Sequence, residues 1–210
     1  MLRYLDVQNI LDKNDLILQE SGCVGSENER GNTYMKKIGI VTDSHSSISQ
    51  EEAEKLGIFV LPMPFYIDGE CFYESVTLSR ELFFEKLAAG ADITTSQPSP
   101  TAVMEIWDKA LEQFEKILYL PISSGLSGSY ETAMMLAKDE AYEGRVLVVD
   151  DGQVAAPLHQ MVLDTLDMIE KGYEAEQIRD LLERAGDRMM IYIALQTLEF
   201  LKKGGRVTPA

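Results

Sequence analysis

The chain has 210 residues, of which 45% are apolar, and it carries 19 Lys and Arg against 35 Asp and Glu. This length suffices for one large domain or two small ones with a hydrophobic core. The net charge of −16 argues against nucleic acid and anionic membranes as partners, because both repel an acidic protein. No stretch approaches the ~20 apolar residues of a membrane span, and the N-terminus lacks a signal-peptide pattern. We therefore predict a cytoplasmic protein without a membrane span.

The first 34 residues have weak periodicity and a composition typical of loop or disorder, and we interpret them as an N-terminal extension. Beyond them, strand and helix patterns alternate. Predicted strands cover residues 38–41, 58–62, 117–122, 146–149 and 189–195. Predicted helices cover residues 49–56, 80–88, 100–114, 129–138, 157–170, 174–185 and 197–203. Asp68 and Gly69 indicate a hairpin turn. The alternation predicts an α/β fold with a mostly parallel sheet and helices on both faces.

Two serine-rich turns lead directly into predicted helices, at residues 94–100 (TTSQPSP) and 123–129 (SSGLSGS). A helix start offers unpaired N–H groups and a positive dipole end, and hydroxyl groups and glycines allow an anion to approach. Each turn alone is more simply explained as a helix cap. Two such turns at the carboxyl edge of one sheet, where ligands bind in such folds, predict a site for an acidic ligand.

Other chemistries fit less well. The second turn is neither a P-loop nor a dinucleotide-binding fingerprint, and Ser129 stands where a nucleophile elbow needs its second glycine. Two cysteines and two histidines are too few for a disulfide framework or a zinc site. Three aspartates at strand ends could bind Mg²⁺, but aspartate is also a common turn former there; they are Asp43, Asp150 and Asp151. We predict no metal and no cofactor.

Five ordered motifs resemble the DegV family, the fatty-acid-binding proteins that serve bacterial fatty-acid kinase. They are residues 41–44 (VTDS), 66–70 (YIDGE), 95–99 (TSQPS), 122–129 (ISSGLSGS) and 197–206 (TLEFLKKGGR). The resemblance covers residues 36 to about 208. It implies a lipid-binding protein that holds one long-chain fatty acid, C16–C18, in an apolar tunnel between two domains.

The resemblance also implies which residues bind the carboxylate. Ser96 would be the main hydroxyl donor. Thr95, Pro64, Ser127 and Gly128 would lie around the head group. The resemblance assigns secondary positions to Ser124, Gly125 and Arg206. Pro64 occupies a position that usually carries a hydroxyl, and proline has neither a hydroxyl nor an N–H to donate.

The implied domain organisation is an N-terminal α/β lipid-binding domain over residues 35–155 and the start of a second domain over residues 156–210. Family members continue beyond the Gly-Gly-Arg motif, whereas this chain ends four residues after Arg206. We therefore predict an incomplete second α/β domain.

The predicted function is a carrier, not an enzyme, that presents its fatty acid to a separate fatty-acid kinase. A serine hydrolase or acyl transferase, with Ser127 or Ser96 as nucleophile and His159 as base, is the first alternative. A phosphate- or nucleotide-binding domain that uses residues 123–129 is the second.

Overall fold

The computed structural model describes residues 36–74, 76–192 and 197–206. Contacts group Lys36–Ala210 into one compact unit. Its strands are β1 (Lys36–Asp43), β2 (Phe59–Leu61), β3 (Pro64–Ile67), β4 (Glu70–Tyr73), β5 (Ile93–Thr95), β6 (Phe114–Leu120) and β7 (Val146–Val148). Its α-helices are α1 (Gln50–Leu56), α2 (Arg80–Ala88), α3 (Pro100–Leu111), α4 (Ser129–Leu136), α5 (Ala156–Glu170), α6 (Ala175–Gly186) and α7 (Glu199–Lys203). A short 3-10 helix, Ser44–Ser46, follows β1.

Four strands form a parallel sheet in the order β2-β1-β6-β7. Side chains alternate between the two faces of a strand, yet Ile117, Leu118, Tyr119 and Leu120 of β6 are all buried. Helices α3 and α4 contact the sheet, and so do α5 and α6. A strand that is buried on both faces is typical of a parallel sheet between helices. The predicted fold class is confirmed.

The larger core lies between this sheet and α3. Trp107 is fully buried, and its ring centroid is 5.5 Å from that of Tyr119 and 5.2 Å from that of Tyr142, both edge-to-face. Ser99 caps α3 by accepting from the Ala102 N–H, and Pro100 takes the first helical position. These residues therefore have the core and capping roles that their spacing predicts.

A second, antiparallel sheet has the order β4-β3-β5. Its hairpin turns at Asp68 and Gly69, both with positive φ (50° and 84°), which matches the tight turn predicted there. A small apolar cluster of Ile67, Leu78 and Ile93 covers it, together with Phe83 of α2. This sheet forms one wall of the site described below.

Three predictions about elements need correction or stay open. Phe114 begins β6 and is not the last turn of α3, because the helix ends at Leu111. Thr95 belongs to β5, whereas the sequence suggested a turn. Residues 189–192 carry no strand, and the rest of the strand predicted over residues 189–195 lies outside the described residues.

The predicted domain limits are not tested. Residues 1–34, the predicted extension, lie outside the described residues. Helix α5 contacts β1, and α6 contacts β6 and β7, so both helices cover the same sheet as the elements before residue 155. The division of the chain near residue 155 stays a prediction.

Candidate functional site

The carboxyl ends of β1 and β6 meet at one edge of the parallel sheet, where the buried Asp43 connects them. Its Oδ1 accepts a hydrogen bond from the His45 N–H (2.9 Å), and its Oδ2 accepts one from the Ile122 N–H (2.8 Å). The Thr42 hydroxyl donates to the Leu120 carbonyl (2.8 Å). These bonds fix the turns that follow both strands.

A cavity of about 570 Å³ lies beside these turns. Part of its wall is apolar and is made by Ile48, Met63, Pro64, Phe65, Leu78, Phe83, Phe84, Ile93 and Ile122. The other part is polar and is made by Ser44, His45, Ser47, Ser49, Gln50, Glu74, Ser79, Thr95, Ser96, Ser127 and Arg206. A pocket with an apolar lining and a few converging polar groups is typical of small-molecule sites.

Five of the residues predicted from the sequence line this cavity: Pro64, Thr95, Ser96, Ser127 and Arg206. Ser96 is exposed, and its hydroxyl donates to the neighbouring Gln97 carbonyl (3.1 Å). Arg206 donates from Nε to the Leu126 carbonyl (3.1 Å) and from Nη2 to Thr95 Oγ1 (3.4 Å). Arg206 therefore joins β5 to the second serine turn at the rim of the cavity.

The other three predicted residues, Ser124, Gly125 and Gly128, are not part of the described lining. The Ser124 N–H donates to Asp150 Oδ1 (3.3 Å), and the Gly125 N–H donates to the Ser123 hydroxyl (3.2 Å). These bonds shape the turn itself.

Gly128 lies close to the other serine-rich segment. A Cβ at this position would lie 2.9 Å from Gln97 Oε1, which is closer than real Cβ contacts allow. Gln97 Oε1 is the end of a flexible side chain, so a larger residue at position 128 would displace this amide group and need not move the backbone. The Thr132 hydroxyl also donates to Gln97 Oε1 (3.4 Å).

Pro64 is buried at the first position of β3, where it pairs with Tyr73. This is a position at which a strand tolerates proline. It adds an apolar surface to the cavity wall and no hydrogen-bond donor.

The two histidines have different surroundings from those that the sequence suggested. His159 lies on α5 with Nε2 3.1 Å from Glu52 Oε1, away from the described lining. It is therefore not placed to activate Ser96 or Ser127. His45, which sequence reasoning left as part of a polar turn, lines the cavity instead.

The Asp43 carboxylate lies beside Nδ1 of the His45 ring. Its Nδ1 is buried and lies 3.3 Å from Asp43 Oδ1, without a well-aligned hydrogen bond. Burial lowers the pKa of His45, but the interaction with Asp43 and the charge of Glu74 outweigh it, so the pKa lies above 6.5. The positive charge of Arg206 lowers the pKa of His45.

Asp151, beyond the end of β7, is a second buried carboxylate at this edge of the sheet. Its Oδ1 accepts from the Gln153 N–H (2.9 Å), and its Oδ2 is buried without a hydrogen-bond partner among the described residues. Burial raises the pKa of Asp151 to about 7. Within the residues that the structure describes, Asp43, Asp150 and Asp151 do not form a cluster that could hold a metal ion.

A family model described as an uncharacterised protein of the DegV family matches residues 37–210. The chain belongs to the DegV family. The resemblance drawn from its five motifs is confirmed.

A DegV domain-containing protein of Caldanaerobacter subterraneus is 31% identical over 174 residues, which are 83% of this chain and 62% of that protein. A DegV family protein of Thermus thermophilus, whose structure is described as showing fatty acid binding, is 34% identical with a TM-score of 0.70. The match covers 80% of this chain and 60% of that one. A Thermotoga maritima protein, described as revealing a fatty acid binding function, is 26% identical with a TM-score of 0.67, over 82% of this chain and 64% of that one.

The chain spans about three fifths of the length of the DegV relatives it matches. Within the described part, no helix is long and apolar enough to cross a membrane.

Proposed function

We propose that this DegV chain binds a long-chain fatty acid, with the carboxylate near Ser96 and Thr95 and the hydrocarbon tail against the apolar wall of the cavity. The single observation that carries the proposal is the cavity itself. At about 570 Å³ it falls within the ~300–1,000 Å³ typical of ligand sites. The fatty acid binding described for the Thermus thermophilus relative supports the same ligand class.

The polar wall suits a carboxylate. A carboxylate that enters an apolar site needs charge-assisted hydrogen bonds, since it otherwise takes up a proton. The Ser96 hydroxyl donates to an adjacent carbonyl over 3.1 Å and can rotate to donate to a ligand instead. Thr95 and Ser127 add hydroxyl groups, and Arg206 adds a positive charge at the rim.

The apolar wall suits the tail. Aromatic side chains of the small sheet and of α2, Phe65, Phe83 and Phe84, contribute to it, together with Met63 and Ile93. Each buried methylene of a C16–C18 tail contributes ~0.8 kcal/mol. The tail therefore supplies most of the binding free energy, and the polar wall selects the head group.

We further propose that the chain is a cytoplasmic carrier without catalysis of its own, and that a separate fatty-acid kinase acts on the bound acid. One observation supports a carrier over a hydrolase. His159 pairs with Glu52 instead of facing a serine of the cavity.

The test is mass spectrometry of lipid extracted from the purified protein under denaturing conditions, followed by titration of the emptied protein with palmitate. We expect a stoichiometric C16–C18 fatty acid in the extract. Ser96→Ala should weaken palmitate binding about 10- to 150-fold, since one hydrogen bond to a charged group contributes ~1.5–3 kcal/mol. Ser124→Ala, in the second serine turn but outside the described lining, is the matched control. A folded protein that yields an empty extract and does not bind palmitate would refute the proposal.

Two further measurements separate the alternatives. Stabilisation of the protein by ATP, and not by palmitate, would favour a nucleotide-binding domain. Hydrolysis of an acyl ester that is lost in His159→Ala would favour the hydrolase.

A further inference from the structure

His45 presents one edge of its ring to the cavity. Nδ1 is buried on the side of Asp43, while the side chain as a whole is 33% exposed. Of the two ring nitrogens, Nδ1 is the one that is buried without a partner among the described residues, so Nε2 is the nitrogen left to meet a ligand. Ser96 and Arg206 line the same cavity.

Asp43 is held too firmly to turn away from this ring. It is fully buried, and its two oxygens accept from the N–H groups of His45, two residues away, and of Ile122, 79 residues further along the chain than Asp43. A carboxylate fixed beside Nδ1 favours a proton on that nitrogen and stabilises the imidazolium form. Once the imidazole is protonated, its Nε2–H can donate a hydrogen bond.

The charged groups that face His45 come from three segments. Asp43 ends β1, Glu74 follows β4 and Arg206 follows α7. The Glu74 carboxylate accepts from the Ser44 hydroxyl (2.9 Å), which holds it at the polar wall. An anion in the cavity would meet the positive charges of His45 and Arg206, which the carboxylates of Asp43 and Glu74 partly offset. Pro64, on the apolar wall, has no donor to give.

We propose that His45, positioned by Asp43, binds the ligand carboxylate through Nε2–H and makes the affinity for an ionised head group depend on pH. This inference rests on the fatty-acid-binding function proposed above and deepens it. His45 is a specificity-determining residue that separates acids from neutral lipids of the same tail. Because the imidazolium is the binding form, affinity falls as pH rises through the His45 pKa, and binding of the acid raises that pKa further.

The test compares palmitate with hexadecanol, which has the same tail length and no charge. Each ligand displaces a fluorescent fatty acid at about pH 6 and about pH 8.5, on wild-type protein and on His45→Ala, His45→Gln and His159→Gln. We expect wild-type affinity for palmitate to fall about tenfold between the two pH values, with little change for hexadecanol. His45→Gln keeps a neutral donor and should lose the pH dependence. His159→Gln, the matched histidine control, should keep it.

Imidazole proton resonances supply a second readout, since the chain has only two histidines. Palmitate should shift the titration of His45 to higher pH and leave that of His159 in place. Wild-type protein that binds palmitate, with the same pH dependence and the same acid-to-alcohol preference in His45→Gln, would overturn this inference and leave the proposed function intact. Wild-type protein that binds no palmitate at either pH would overturn both.

Discussion

Replacing Asp151 with asparagine should flatten the pH dependence of the protein's stability. The Asp151 side chain is buried, and within the part of the chain that the structure describes its Oδ2 has no hydrogen-bond partner. Burial raises the pKa of this carboxyl from 3.8 to about 7, and the negative charges of Asp150 and Asp43 act in the same direction. The folded protein therefore prefers the protonated form of Asp151.

The direction of the effect follows from linkage. Below pH 3.8 both the folded and the unfolded states hold the proton. Between 3.8 and about 7 the unfolded state loses it first, so the free energy of unfolding falls as pH rises. Above about 7 both states are ionised and the loss is complete. At about 1.36 kcal/mol for each pH unit, the full loss is about 4 kcal/mol, of which about 2.5 kcal/mol falls between pH 5 and pH 8.

Urea unfolding at 25 °C, measured between about pH 5 and pH 8, tests this reasoning. The Asp151→Asn variant keeps an oxygen for the Gln153 N–H but places an unpaired amide in the core, which costs about 1–3 kcal/mol at every pH. Its stability should therefore change about 2.5 kcal/mol less than that of the wild type across the range. Asp187→Asn, the same charge change at an exposed site, is the control. His45 also loses stabilisation as pH rises, so the difference between wild type and variant isolates Asp151. Parallel pH profiles for wild type and Asp151→Asn would refute the assignment.

Two further substitutions test the packing that supports the site. Trp107→Ala should lower the free energy of unfolding by about 3–5 kcal/mol, because it empties the space between Tyr119 and Tyr142. Urea unfolding followed by circular dichroism measures this loss. A loss no larger than that of Met135→Ala, at an exposed position, would contradict the prediction. Gly186→Ala should lower the free energy of unfolding by at least about 1–3 kcal/mol in the same assay, because the new methyl group would collide with the Asp151 backbone carbonyl. Gly125→Ala is the control, since the atom nearest to its new methyl group would be 3.6 Å away.

Elements with strong local signals were predictable from the sequence. Ser99 and Pro100 start α3 where their cap and first-turn preferences place it, and Asp68 with Gly69 forms the hairpin. The continuous apolar run in β6 predicted a buried parallel strand. In each case the signal lies within a few residues of the element that it defines.

The features that were missed depend on distant partners. The three residues of β5 form a strand because they pair with β3, and so short a segment has little preference of its own. Phe114 continues the apolar spacing of α3, yet it pairs with Lys36 of β1 as the first residue of β6. His45 becomes part of the cavity wall because Glu74 and Arg206 come to it from other segments. A local sequence pattern cannot predict surroundings that depend on contacts between distant segments.

The two hydrogen bonds of Arg206 also set an order of events during synthesis. The segment with Thr95 leaves the ribosome 111 residues before Arg206, and Leu126 leaves 80 residues before it. At ~5–20 residues per second, Arg206 follows Thr95 of β5 by roughly 6–22 s and Leu126 of the second serine turn by roughly 4–16 s. The sheets can form in that interval, but the rim of the cavity closes only when Arg206 arrives. A nascent chain therefore makes both segments that Arg206 bridges well before it makes the side chain that joins them.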